Sequence, residues 1–128
     1  MLILKRILRT RIRHWQKITL SLFLETKLIM FTENTQRLYV LIDKALDSVY
    51  GCVQGGHAVA QWLLNHPNQK WNNSYLIYLS AEIEHWKDKL RFLDIDFTQF
   101  NEPDLDNKTT ALAVFGNDKL FKKLKLIQ

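Results

Sequence analysis

The chain has 128 residues and a mass of 15.2 kDa, which accommodates one compact domain rather than two. With 47% hydrophobic and 24% charged residues, four Gly and two Pro, the composition is globular and excludes a disordered tail or a fibrous repeat. The single cysteine, Cys52, excludes an internal disulfide and favours a reducing compartment, so we expect a cytoplasmic protein.

The positive charge is concentrated at the N-terminus. Residues 1–29 carry seven basic side chains and one acidic side chain, a net charge of +6, whereas residues 30–128 carry 11 basic and 12 acidic side chains, a net charge of −1. The overall charge of +5 therefore argues for nucleic-acid binding only in the first segment.

Residues 1–29 read as an extension to the fold. Their longest charge-free run, residues 18–24, is too short to span a bilayer. The Arg-rich composition is typical of an organelle transit peptide or of a helix on a membrane surface. Because the sequence that follows Met30 reads like a natural start, we predict that residues 1–29 lie outside the fold and that residues 30–128 form the domain.

Alternating strand and helix patterns predict a single α/β domain. Runs of β-branched and aromatic residues predict strands, and apolar residues spaced by three and four predict helices. In chain order these are a strand at Arg37–Asp43, a helix at Val53–Leu64, a strand at Tyr75–Leu79, a helix at Ala81–Leu93 capped by Ser80, a strand from Ile95 to near Glu102, a strand at Thr109–Phe115 and a short helix after Asn117. The order β-α-β-α-β-β-α predicts a small three-layer α/β/α domain with a mixed sheet of about four strands, in which the loop from Asp104 to Lys108 reverses the chain.

A histidine flanked by glycines is the densest chemical signal. Gly55 and Gly56 precede His57 in the predicted first turns of a helix. Free N–H groups at a helix start attract an anion or a developing oxyanion, and an imidazole can accept or pass a proton. His57 also lies four residues after Val53 and three before Ala60, so the alternative is a buried core histidine.

An acidic loop follows the third predicted strand. Glu102, Asp104 and Asp106 are followed by Thr109 and Thr110. Such a loop either orients a histidine or a water molecule, or is a solvated turn. It lacks the Gly hinge and the distant bidentate Glu of a calcium loop, and we expect no metal there.

These motifs resemble those of type II peptidyl-tRNA hydrolases. The strand that ends at Asp43, the segment Gln54-Gly-Gly-His-Ala58, the acidic loop and the threonine at the start of the last strand match the order of that family, over roughly residues 37–128. Glu102 stands where the family has the Asp of an Asp-Ala-Gly loop, with Pro103 and Asp104 behind it. Tyr50 occupies the place of a functional lysine, in a loop that the family makes rich in Gly and Lys.

The resemblance implies hydrolysis, without metal or cofactor, of the ester between an acyl or peptidyl group and the 3′ end of tRNA. It implies that His57 activates water, that Glu102 orients the histidine or the water, and that Thr110 donates a hydrogen bond. The same resemblance implies that the Gly55 and Gly56 amides face the oxyanion, and it places Gln54, Tyr50 and Asp104 in the substrate site.

Loss of the loop lysine leaves an alternative, a non-catalytic module that keeps the fold and binds RNA or a protein. Lys44 or the cationic run from Lys119 to Lys125 are candidates to replace the missing charge. A homodimer is a further expectation, because small α/β domains with incompletely covered sheets often pair.

Overall fold

The computed structural model of the protein describes residues 15–22, 24 and 36–128. The chain divides into two compact units, Met1–Glu33 and Asn34–Gln128. In the first unit, residues 15–22 and 24 are helical and exposed, whereas Met30 and most of the predicted extension lie outside the described residues. Within the part of the chain that the structure describes, no helix is both long enough and apolar enough to cross a membrane.

The second unit is a small α/β domain with a mixed sheet, which confirms the predicted fold class. Its elements are β1 (Arg37–Asp43), α1 (Ser48–Asn65), β2 (Tyr75–Ala81), α2 (Ile83–Phe92), β3 (Thr98–Glu102), a 3-10 turn (Pro103–Leu105), β4 (Lys108–Phe115), a second 3-10 turn (Asp118–Phe121) and β5 (Lys125–Leu126). The strand order is β3-β4-β1-β2-β5. Strands β1 and β2 are parallel, and the other neighbours are antiparallel. The chain reversal between β3 and β4 is thus as predicted.

Two apolar cores lie on opposite faces of the sheet, because successive side chains along a strand point to opposite faces. The core under α1 contains Leu38, Val40, Ile42, Ala58, Trp62, Ala111 and Ala113. The core under α2 contains Tyr39, Leu41, Leu79, Ala81, Ile83, Trp86, Leu90, Leu112, Val114 and Phe121. The two helices therefore cover the sheet from both sides and produce the expected three layers.

Helix α1 begins at Ser48, five residues before the predicted start. Asp47 caps it, since its Oδ1 accepts a hydrogen bond from the Tyr50 amide at 3.0 Å. The prediction that Gly55 and Gly56 lie in the first turns is therefore wrong, because both lie in the helix interior.

The remaining boundaries differ from the predictions in smaller ways. Strand β2 continues to Ala81, so Ser80 is a strand residue, and Glu82 takes the cap position of α2. Strand β3 begins at Thr98 rather than Ile95. The predicted final helix is only a four-residue 3-10 turn. Strand β5 was not predicted, because two residues are too few to show the alternation of polar and apolar side chains that marks a strand.

A bulge in β4 turns Thr110 toward α1. Phe100 pairs with Ala111 and Asn101 pairs with Thr109, so Thr110 is the extra residue between them. An extra residue in one strand breaks the alternation of faces and re-aims a side chain. Ala111 lies in the core under α1, and the Thr110 hydroxyl bonds to Gln54 of the same helix. The bulge thus brings Thr110 to the side of the sheet that carries α1.

Two adjacent glycines of α1 are expected to respond oppositely to the same substitution. A Cβ on Gly55 would lie 2.7 Å from Cε2 of Tyr78 and 3.1 Å from Cδ1 of Ile42, whereas a Cβ on Gly56 would meet nothing within 4 Å. We expect Gly55→Ala to lower the free energy of unfolding by about 1–3 kcal/mol through overpacking. Gly56→Ala should raise it by about 0.5–1 kcal/mol through helix propensity.

Urea denaturation of both variants and of the parent chain, at one low protein concentration, measures the two effects. Equal effects of the same sign would contradict the close contact between Gly55 and the sheet.

Candidate active site

A stripe on α1 meets one face of the edge strand β3. Tyr50, Gln54 and His57 are four and three residues apart, so they lie along one side of the helix. Phe100 and Glu102 are two residues apart and share a face of β3. Together with Thr110, these residues form what we call the α1–β3 cluster.

A chain of hydrogen bonds runs through the cluster. The Thr110 hydroxyl donates to Gln54 Oε1 at 2.5 Å, and Gln54 Nε2 donates to Glu102 Oε2 at 2.6 Å. Thr110 and Gln54 are fully buried, so each depends on the other to satisfy its polar group. Neither residue offers a surface to a substrate; together they hold Glu102 in place. The predicted roles of Thr110 as a hydrogen-bond donor and of Gln54 as a substrate contact remain predictions; in this structure both side chains are buried and linked to Glu102.

Glu102 is held as a carboxylate. The Gln54 hydrogen bond is the largest effect that lowers the pKa of Glu102, followed by the Asp104 amide, which donates to Oε1 at 3.3 Å. Charge on His57 acts in the same direction. The exposed Asp104 contributes to the site through its backbone, and the outcome is a negative charge close to His57 at neutral pH.

His57 is exposed, so the alternative of a buried core histidine is wrong. Its ring stacks on Phe100, with the ring centroids 4.5 Å apart and the planes inclined by 11°. The contact restricts the plane of the imidazole while its edge stays open to solvent. Sequence reasoning missed Phe100; its alternation with Glu102 in a half-buried strand was the available signal.

Tyr50 forms a hydrogen bond with Glu102, and Lys108 lies across from Glu102 in the neighbouring strand. Burial raises the pKa of the Tyr50 phenol, and the charge of Glu102 raises it further, so the hydroxyl stays protonated. Lys108 lies opposite Glu102 in the register of β3 and β4, and its Nζ is 2.8 Å from Asp43 Oδ2. The hydrogen bond to Asp43 is the main cause that raises the pKa of Lys108. Lys44, by contrast, is paired with Glu82 at 2.5 Å.

The two glycine amides do not face a site. In the interior of an α-helix each N–H bonds to the carbonyl four residues earlier, so the amides of Gly55 and Gly56 are committed to the helix. Gly55 packs against Tyr78 and Ile42 of the sheet instead. As for metals, no group of three or more His, Cys, Asp or Glu side chains among the described residues is arranged to hold one.

A second polar cluster lies at the other end of α1. His66 follows the last residue of the helix, stacks on Trp62, and bonds through Nδ1 to the Trp62 carbonyl at 2.9 Å and through Nε2 to Asp96 at 2.7 Å. Burial lowers the pKa of His66, but Asp96 and the Trp62 carbonyl outweigh it, and the pKa is raised above 6.5. The raised pKa favours the doubly protonated ring, which donates at both nitrogens.

Asp96→Asn should destabilise the protein in a pH-dependent way. A raised pKa in the folded state means that the His66 contribution is complete below the unfolded pKa of 6.5 and is lost as pH rises through the folded value. The difference in unfolding free energy between the parent and Asp96→Asn should therefore be larger at about pH 6 than at about pH 9. Chemical denaturation at both values tests this, and a gap that widens with pH would contradict the ion pair.

In comparisons with known proteins, no protein-family model matches the sequence, and no curated protein matches it.

Proposed function

We propose that this chain hydrolyses the ester between an acyl or peptidyl group and the 3′ end of tRNA. The proposal rests on the contacts within the α1–β3 cluster. Gln54, His57, Glu102 and Thr110 come from three elements, and all four were singled out by motif order alone. Gln54, Glu102 and Thr110 meet in one hydrogen-bonded group, and the exposed imidazole of His57 lies near Glu102, stacked on Phe100.

The proposed roles of the residues are proton transfer and stabilisation of charge, both of which ester hydrolysis requires. His57 accepts a proton from the attacking water and then returns it to the leaving 3′ oxygen of the ribose. The ionised Glu102 stabilises the imidazolium that forms meanwhile, acting through its charge since it accepts its hydrogen bonds from Gln54, Tyr50 and the Asp104 amide. Lys108 lies opposite Glu102 in the strand register and is ion-paired with Asp43, so it can attract phosphate or a developing oxyanion only by giving up that pair.

One observation favours a second candidate, a non-catalytic module that binds RNA or a protein on the same surface. The carboxylate of Glu102 accepts its hydrogen bonds from Gln54, Tyr50 and the Asp104 amide, so His57 is oriented by stacking rather than by a carboxylate. Tyr50, in place of the lysine that the resemblance calls for, adds no cation. A module of this kind would bind tRNA or a protein without turnover.

The test is release of N-acetyl-aminoacyl groups from tRNA by the purified full chain, with binding of the deacylated tRNA measured alongside. Turnover that follows the chain through purification supports the hydrolase. Binding without turnover supports the module. Neither turnover nor binding of tRNA would overturn the hydrolase and leave a protein partner as the ligand of the module.

A further inference from the structure

We infer that two copies of this chain pair through the outward face of α1. The face opposite the sheet is a continuous apolar stripe, whose members are Val49, Cys52, Val53, Gly56, Ala60, Leu63 and Leu64. The exposed fractions are 79% for Val49, 52% for Val53, 49% for Leu63 and 75% for Leu64. Monomeric proteins rarely expose contiguous apolar patches of more than a few hundred Å².

The absence of formal charge on α1 favours a second copy of the chain as the occupant of this face. Helix α1 contains no Asp, Glu, Lys or Arg in 18 residues, although 24% of the chain is charged. Near a two-fold axis each residue faces its own copy, so a charge there would meet a like charge; a face without formal charges avoids that cost. Helices that lie on membranes carry Lys and Arg on their polar side, and α1 has none.

The shape of the stripe suits an antiparallel pair. Gly56 and Ala60 have the smallest side chains of the stripe and leave its middle low, and Gly56 faces open space, while the larger Val49 and Leu64 stand at the two ends. With the axis between residues 56 and 57, Val49 of one copy faces Leu64 of the other, and Val53 faces Ala60. The helix dipoles then oppose each other favourably. His57 lies on the flank of the stripe, on the side of β3.

The size is sufficient for a dimer of moderate affinity. An 18-residue helix is about 27 Å long and about 10 Å across. Pairing two such faces end to end buries an interface near the lower limit for stable association, about 1,000 Å² in total. We therefore expect a dimer that dissociates on dilution.

Sedimentation equilibrium of the full chain, under reducing conditions and over a range of concentrations, tests the inference. The expected mass rises toward about twice 15.2 kDa. Val53→Glu, one helical turn from the axis, should abolish the rise, because it buries two carboxylates in an interface where α1 offers no cation. Phe92→Glu, on the 89% exposed Phe92 of α2, is the matched control and should leave the dimer intact.

Cross-linking supplies a second measurement that needs no folded variant at Val53. In the antiparallel pair the two Cys52 residues lie about 14 Å apart along the helix axis, so a bismaleimide with a spacer of that length should join them. A chain that stays monomeric and gives no cross-link overturns the inference. A dimer that persists in the Val53→Glu variant also overturns it. Binding of the monomer to neutral vesicles that is lost in Val53→Glu overturns it as well, because the face would then bind lipid. These readouts are independent of hydrolysis.

Discussion

Replacing His57 by alanine is expected to lower kcat/KM for hydrolysis of an N-acylated tRNA by about 10²- to 10⁴-fold, the usual effect of removing a general acid–base group. His57 is exposed and its ring contact is with Phe100. Loss of one stacked pair costs about 1 kcal/mol. The variant should therefore fold, and the loss should appear in kcat rather than in KM, because the imidazole acts in the transition state.

His85→Ala is the matched control for this prediction. His85 is also an exposed histidine on a helix, but it lies on α2, across the sheet from the α1–β3 cluster. Its rate should equal that of the parent chain. Equal rates for the parent and the His57→Ala chain, with a contaminating hydrolase excluded, would remove the catalytic role of His57.

Replacing Gln54 by leucine is expected to cost about 1–3 kcal/mol of unfolding free energy, the penalty for a buried hydroxyl left without an acceptor. Gln54→Leu removes the acceptor of the Thr110 hydroxyl, which has no exposed surface, and the main donor to Glu102. Gln61→Leu is the control on the same helix. Gln61 bonds to Asn65 at the surface, and its loss should change stability by no more than about 0.5 kcal/mol.

A double-mutant cycle separates the hydrogen bond from the packing. Thr110→Val alone leaves Gln54 Oε1 without its donor, but Gln54→Leu combined with Thr110→Val replaces both partners by apolar groups. The double variant should therefore be more stable than the sum of the single changes predicts. Strict additivity would show that the bond between Thr110 and Gln54 contributes nothing.

The pH dependence of the unfolding free energy tests the second contact of Gln54, its hydrogen bond to Glu102. The pKa of Glu102 is lowered in the folded state below its ordinary 4.5, mainly by Gln54. Stability from this carboxylate is thus complete above the unfolded pKa and is lost as pH falls through the folded value. The gap between the parent and Gln54→Leu should narrow as pH drops below about 4.5. A gap independent of pH would mean that Gln54 does not stabilise the charge of Glu102.

The amino-acid sequence by itself determined the fold class, the order of elements from β1 to β4 and the exact bounds of β1, since these depend on local periodicity. Motif order also predicted that His57 and Glu102 belong to one candidate site, and the structure places the two side chains near each other. The local pattern predicted the wrong start for α1, because a single contact sets that start. Capping by Asp47 begins the helix five residues earlier than predicted, so the Gly55 and Gly56 amides lie in the helix interior. Propensity alone does not reveal such a cap when Val and Tyr follow it.

Only the tertiary structure decided how the candidate site is built. The bulge in β4 directs Thr110 to Gln54, and the pairing of β3 with β4 places Lys108 opposite Glu102. Packing of α1 against β3 set His57 on Phe100 and left the imidazole exposed, although its spacing along an apolar face was equally consistent with burial. Strand register and the angle at which a helix meets a sheet depend on contacts between residues far apart in the chain. A local period carries no information about those contacts.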